Sequence, residues 1–509
     1  MISEIYTATT YGVDAYIVRV ESHIEKGLFN FTIVGLPDNA VKESRERVSA
    51  AIKNSMFHFP VRRYTVNLAP ADVRKEGSGF DLPIAVGLIC ETSQVSPSKV
   101  RDYVFIGELS LDGKLRPVTG VLPIALEVKK NNFKGIILPI ENAKEAAIVE
   151  GIDVQPFETL TEVADFLNDE ITPKPFTINV KELFELEKNY LLDFSDVKGQ
   201  AEVKRAMEVA AAGAHNIILI GLPGSGKTMV AKRLPTILPP LSLEEALETT
   251  KIHSIAGLLT SNTAIISTRP FRSPHHTASD VSLVGGGPNA KPGEISFAHN
   301  GVLFLDELTE FKKNVLEVMR QPLEDRVVTI SRSKMTVQYP CNFMLVAAMN
   351  PTPAGSAKET EMYNDYDIQK FLSKISGPIL DRIDLHVHVN PVKYQELSSK
   401  TELENSSSVR HRVIKARELQ LERFKDKMGI YSNSGMSSKE IKEFCKIDTE
   451  CENLMKMAIT KLGLSARAYD RILKVSRTIA DLDGSENISP AHISEAIQYR
   501  SLDLSLIHI

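Results

Sequence analysis

The stretch HNIILIGLPGSGKTMVAKRL, His215 to Leu234, constrains this chain more than any other. Its apolar run reads as a buried strand, a glycine-rich turn follows, and an amphipathic helix takes over from the turn. Within it Gly221, Leu222, Pro223, Gly224, Ser225, Gly226, Lys227 and Thr228 have the residue types and spacing of a phosphate-binding loop. Glycines let the backbone turn so that successive N–H groups and the helix N-terminus face phosphate oxygens. A lysine at position 227 would neutralise the β- and γ-phosphates of ATP, and the Thr228 hydroxyl would ligate Mg²⁺. The bland alternative is a glycine-rich turn that binds nothing, and the flanking strand and helix argue against it.

Two further apolar strands end in chemistry that fits the same site. GVLFLDEL places Asp306 and Glu307 at the close of a buried run. Adjacent carboxylates there are costly unless a cation meets them. Asp306 is expected to hold Mg²⁺, commonly through water, and Glu307 to orient and activate the attacking water. Read alone, the pair is equally a capped strand end with two solvated acids. NFMLVAAMN ends in Asn350 before a proline, where an amide could position water at a γ-phosphate or merely end a strand.

At 509 residues the chain has room for about three domains. Residues 1–168 alternate short apolar runs (FTIVGL, RYTVNLA, YVFIGEL, GIILPI) with helical patterns (ALEVKK, AKEAAIVEG), as in an α/β domain. A charged, proline-containing stretch over 169–193 reads as a linker, 194–390 as the nucleotide-binding core, and 391–509 as a helical lid. The terminal SLDLSLIHI carries no functional expectation. The net charge of −5 provides no global attraction to nucleic acid or an anionic membrane, so any DNA contact must be local. Cys90, Cys341, Cys445 and Cys451 are scattered, without the spacing of a zinc or redox motif. The N-terminal stretch lacks the continuous apolar core of a signal peptide, and no stretch approaches a membrane span. The expected location is cytoplasmic.

In order along the chain, GLPGSGKT, FRSPHHTASDVSLVGGG, GVLFLDEL, AMNP, SGPILDRIDLHV and SARAYDRILKVSRTIADL resemble the YifB/ComM family of magnesium-chelatase-like AAA+ ATPases. The resemblance covers nearly the whole chain. It implies an α/β fold: an N-terminal Lon-protease-like (ribosomal S5 domain 2-like) α/β domain, an AAA+ P-loop core with a parallel sheet, and a C-terminal helical lid. It also implies a ring, expected to be a homo-hexamer, with nucleotides at subunit boundaries. Asn350 would be sensor 1, Arg382 the arginine finger entering a neighbour's site, and Arg467 the lid's sensor 2. For Arg382 the alternative is an intrachain salt bridge with Asp381 or Asp384. The Lon-type nucleophile would fall near Gly79 or Ser78 and its lysine base near Leu122 or Pro123, yet no lysine stands between Arg116 and Glu127. Peptide hydrolysis is therefore not expected, and the domain reads as a scaffold or binding module.

Many relatives carry a cysteine cluster after the sensor asparagine, but NPTPAGSAKETEMYNDYD has none, so no zinc site is expected there. His275 and His276 are adjacent, a spacing that suits loop positioning better than metal ligation. VVTISRSKMTVQYP alternates like a hairpin with Arg332 and Lys334 near its turn. Family context places this hairpin and the SDVSLVGGGPNAKPGEI insertion toward a central pore, where basic tips could hold branched or single-stranded DNA; otherwise the tip is a solvated turn. The leading expectation is a DNA-translocating ATPase that migrates branched recombination intermediates. The alternatives are a magnesium-chelatase motor subunit and a protein-remodelling ATPase.

Overall fold

The computed structural model describes residues 3–71, 73–186, 190–260, 263–332, 335–351, 377–392, 403–427, 429–462 and 465–500. Lys334, the terminal SLDLSLIHI and most of the NPTPAGSAKETEMYNDYD segment lie outside them. The chain divides into two compact units. The first holds residues 1–188, 243–267 and 337–339, and the second holds 189–242, 268–336 and 340–509.

The first unit is built on a seven-stranded mixed sheet. Strands β1 (Ser3–Tyr11) and β2 (Asp14–Glu25) form an antiparallel pair, and β2 also pairs antiparallel with β4 (Arg63–Ala69). β3 (Asn30–Val34) adds in parallel to β4 and is one edge of the sheet. On the other side β5 (Tyr103–Phe105), β6 (Gly135–Pro139) and β7 (Asp153–Phe157) continue in parallel from β1. Alternation along the C-terminal half of β2 buries Val18, Val20 and Ser22, the period-two pattern of a strand with one covered face.

Helix α1 (Asn39–Asn54) starts where the Asp38 carboxylate accepts from Val41 N at 2.8 Å, and it buries Val41, Ser44, Val48, Ala51 and Ile52 on one stripe. α2 (Asp81–Glu91) is buried along almost its whole length. α3 (Val121–Lys130) opens after Gly120 and receives the buried carboxylate of Glu145, which accepts from Leu122 N at 2.8 Å. The helical expectation for AKEAAIVEG is met only by the short helix α4 (Ala143–Ala146).

A helix over Leu243–Ile255 belongs to this first unit, although its sequence follows the phosphate loop. It packs against α3. Ser254 donates to Glu145 Oε1 at 2.5 Å, and its carbonyl accepts from Gly120 N at 3.2 Å. Burial pushes the Glu145 carboxyl up, opposed by the hydrogen bonds it accepts from Ser254 and the α3 N-terminus.

The second unit carries a parallel five-stranded sheet in the order β9-β10-β11-β8-β12. Its strands are β8 (Ile217–Ile220), β9 (Phe271–Arg272), β10 (Val302–Leu305), β11 (Met344–Met349) and β12 (Leu385–His388). β8, β10 and β11 are wholly apolar and wholly buried, as strands covered on both faces must be. α5 (Ala201–Gly213) packs against the C-terminal helices α7 (Ser406–Arg423) and α8 (Ala466–Leu482), while α9 (Pro490–Gln498) packs on α8.

A buried polar cluster fastens the sheet to these helices. Asp384, just before β12, accepts from His215 Nδ1 at 3.0 Å and from Arg471 of α8 at 2.6 Å, and His215 Nε2 meets Thr478 at 2.8 Å. Burial alone would raise the Asp384 carboxyl. The His215 hydrogen bond and the Arg471 charge outweigh it and hold the group well below the usual carboxylate range.

Candidate nucleotide-binding site

The phosphate loop joins β8 to a short helix, α6 (Lys227–Ala231). Gly226 sits at φ +94, where a side chain would be strained. A Cβ on Gly221 would lie 2.4 Å from the Val389 carbonyl oxygen, so only glycine allows this close approach of loop and strand end. Gln200, at the start of α5, donates to the Ser225 carbonyl at 2.6 Å and to the Asn390 carbonyl at 3.2 Å, bracing the loop from outside.

The ends of three neighbouring strands converge on Lys227. Its side chain is 8% exposed, and its ammonium donates to Gly221 O at 2.6 Å, Leu222 O at 3.0 Å and Asn350 Oδ1, beyond β11, at 3.2 Å. Burial depresses its pKa, opposed by the charges of Asp306 and Glu307. Thr228 donates to Asp306 Oδ2 at 2.8 Å, and Asp306 Oδ1 accepts from Glu307 N at 3.0 Å. The crevice lies at the carboxyl ends of parallel strands where the order reverses around β8, the place where such sheets bind ligands.

Glu307 has φ +53, an uncommon conformation for a side-chain-bearing residue and one that concentrates at functional sites. Its Oε2 lies 3.0 Å from His276 Nδ1, and the His276 ring packs against that of His275 with centroids 4.2 Å apart. Sequence reasoning assigned His276 no part in the site. The signal was a polar pair following a β9 strand that neighbours β10, and it is readable only once the strand order is known.

The Ser225 hydroxyl is buried inside the loop and has no hydrogen-bond partner among the described residues. Thr228 and Asp306 offer neighbouring hard oxygen donors, the kind Mg²⁺ prefers. A cation, a buried loop hydroxyl and paired oxygen ligands fit a polyphosphate with its metal.

The two expected arginines sit elsewhere. Among the described residues Arg382 forms an ion pair with Glu324 rather than with Asp381 or Asp384. Asp381 is taken by the exposed Arg467 at 2.9 Å, and Asp384 by His215 and Arg471. Among the described residues Arg467 makes no hydrogen bond to the phosphate loop. The hairpin forms from Val327–Arg332 and Met335–Pro340. The Arg332 guanidinium lies 2.6 Å from where a Cβ on Gly286 would stand, so the hairpin tip and the glycine-rich insertion meet. In the first unit the Ser78 hydroxyl donates to Glu108, a carboxylate rather than an amine.

A phosphate loop joined to acidic and amide strand ends on a parallel sheet defines a P-loop nucleotide-binding protein. Three family profiles match: "Magnesium chelatase, subunit ChlI" over residues 193–397, "Subunit ChlI of Mg-chelatase" over 20–142, and "Magnesium chelatase, subunit ChlI C-terminal" over 403–500. Competence protein ComM of Haemophilus influenzae is 44% identical over 501 residues, spanning 98% of this chain and 97% of that one. The uncharacterized protein YifB of Escherichia coli is 43% identical over 514 residues, 100% of this chain and 99% of the other. Lon protease 2 of Bacillus subtilis is 32% identical over 178 residues, 32% of each chain. The chain belongs to the YifB/ComM family of magnesium-chelatase-like AAA+ proteins, and with that membership come an N-terminal Lon-like domain, an AAA+ core and a C-terminal helical region. Among the described residues no helix is long and apolar enough to cross a membrane.

Proposed function

We propose that this protein is a cytoplasmic ATP-hydrolysing ring motor that moves on DNA and migrates branched recombination intermediates. The observation that supports it most is the convergence of Asn350 on Lys227 beside the Thr228–Asp306 pair. Lys227 leaves its carbonyl partners to meet the β- and γ-phosphates, and the loop N–H groups and Ser225 follow the same oxygens. Thr228 and Asp306 would hold Mg²⁺, whose positive charge would help neutralise the nucleotide phosphates. Glu307 orients water toward the γ-phosphate, Asn350 fixes that water, and His276 sets the Glu307 carboxylate. Arg382 leaves Glu324 and reaches the next subunit's site in a homo-hexamer, and Arg467 senses the nucleotide from the lid.

The DNA assignment draws on the full-length likeness to a competence protein and on the meeting of Arg332 with the glycine-rich insertion. The likeness to the magnesium-chelatase 67 kDa subunit of Heliobacterium mobile is 25% over 224 residues, only 38% of this chain, which favours the DNA reading over a chelatase motor.

The test is ATP-driven migration of a synthetic four-way junction, with Lys227→Ala as the inactive control. Arg332→Ala should keep basal turnover near parental while the salt slope of DNA binding falls by about 0.7 to 0.9 per lost phosphate contact. No junction movement and no stimulation of turnover by any DNA would remove the DNA reading. An unchanged salt slope would remove Arg332 from it.

A further inference from the structure

At the β3 edge of the first unit's sheet, an aromatic cluster stands among exposed cations. The chain enters β3 through Lys26, Gly27, Leu28 and Phe29, and Asn30 lies in register with Arg63, so the segment between α1 and β4 runs alongside. Phe59 and Tyr64 stack with centroids 4.5 Å apart and planes 5° from parallel. Phe29 meets both edge-on, at 6.3 Å and 6.1 Å. Phe29 is 53% exposed and its chain neighbour Leu28 91%, while on the segment between α1 and β4 Met56 is 91% exposed and Val61 77%.

Hydrogen bonds brace the segment that carries Phe59 and Tyr64. Tyr64 donates to Pro60 O at 2.5 Å, Gln94 bridges His58 N at 2.6 Å and His58 O at 2.9 Å, and Asn54 donates to Leu111 O at 2.6 Å. Lys53 lies 5.4 Å from the Phe59 ring centroid. Arg63 pairs with Glu25 at 3.4 Å, whereas among the described residues Lys26 and Arg62, both exposed, make no ion pair.

We infer that this surface binds single-stranded nucleic acid, with bases stacked on Phe29 and the flanking phosphates met by Lys26, Lys53 and Arg62. An apolar ring within a cationic rim matches both parts of such a strand, whereas a duplex hides its base faces. A second copy docking by the same face would set these three cations against their own duplicates, a repulsive arrangement. The inference deepens the DNA reading proposed above and rests on it, adding a second contact remote in sequence from the Arg332 hairpin.

The experiment is fluorescence anisotropy of the full chain with a labelled oligothymidylate, an abasic strand of equal length and an equal-length duplex, across a salt series. Phe29→Ala should weaken the oligothymidylate complex about ten-fold and leave the abasic complex unchanged, since stacking has been lost but charge has not. Phe29→Trp should restore affinity. The Lys26→Ala/Arg62→Ala pair should lower the single-strand salt slope by about 1.4, two contacts at roughly 0.7 each.

Unchanged oligothymidylate affinity in Phe29→Ala overturns the inference. So does a Phe29→Ala effect confined to sedimentation, which indicates a subunit contact, or to phosphatidylglycerol vesicles, which indicates a lipid surface. If Arg332→Ala weakens binding and Phe29→Ala does not, this inference fails while the DNA reading stands. If the parental chain binds none of the three nucleic acids, the DNA reading itself fails.

Discussion

Lys227 and Glu307 lie in the same crevice but are asked for different things. Lys227 is a buried residue whose ammonium meets the loop's own carbonyls and Asn350, and whose proposed work is to meet phosphate charge. Glu307 stands in a left-handed backbone conformation with its carboxylate against His276, and its proposed work is confined to the attacking water. Lys227→Ala should therefore lose nucleotide affinity, while Glu307→Gln should bind MgATP normally and hydrolyse it on the order of 10²-fold or more slowly. Equal affinity loss in both, read by titration with a fluorescent ATP analogue, would undo this division. The glycines, Lys227 and Thr228 were legible in the sequence because the motif is local and each residue type has a physical reason. The His276 contact was not, because β9 and β10 bring those two side chains together only after the sheet has formed.

Elements in the second unit are tied by charge as much as by apolar packing. Asp384 before β12 binds His215 before β8 and Arg471 on α8, joining two strand starts to a helix within a buried region. Removing one member leaves uncompensated charge, so Asp384→Asn should cost about 3 kcal/mol or more. The Asp384 carboxyl is depressed in the folded protein, so its stabilisation is full above the unfolded value near about 4 and is lost as pH falls through the folded one. Melting temperature measured from pH 7 downward should fall for the parental chain below about pH 4, and the variant should start lower with a shallower acid-side slope. Parallel slopes would show that other carboxylates govern acid unfolding. Sequence patterning identified the apolar strands and the helical lid but could not pair their charges. It offered Asp381 and Asp384 as partners for Arg382, whereas the ion pair forms with Glu324, fifty-eight positions earlier.

For the whole molecule the proposed ring makes hydrolysis a shared property. Arg382 is to act in a neighbour's site, so Arg382→Ala should bind ATP near normally and lose turnover by on the order of 10³-fold. Mixing it with Lys227→Ala should recover part of the activity wherever an intact finger faces an intact loop. If mixed rings form, as shown by differently tagged subunits, and no turnover returns, Arg382 serves its own chain through Glu324. Fold class was readable along the entire chain, since alternation and the P-loop each imply their own layer. The allegiance of the Leu243–Ile255 helix was not readable, because its place in the chain, just after the phosphate loop, assigns it to the nucleotide-binding core.

That helix has a practical consequence for genetic dissection. Its buried face, including Ala246, Ile252 and Ser254, is completed by α3 and Glu145, yet it is encoded between the phosphate loop and the acidic strand end. Deleting residues 1–188 would strip the cover from a helix that the remaining gene still specifies, leaving its formerly buried face, in which Ala246 and Ile252 stand among Thr249, Thr250, His253 and Ser254, without a packing partner. Loss of activity after such a deletion would report the lost packing before it reported function. The role of the first unit is better resolved by surface substitutions such as those at Phe29, Lys26 and Arg62, which leave the interleaved polypeptide whole.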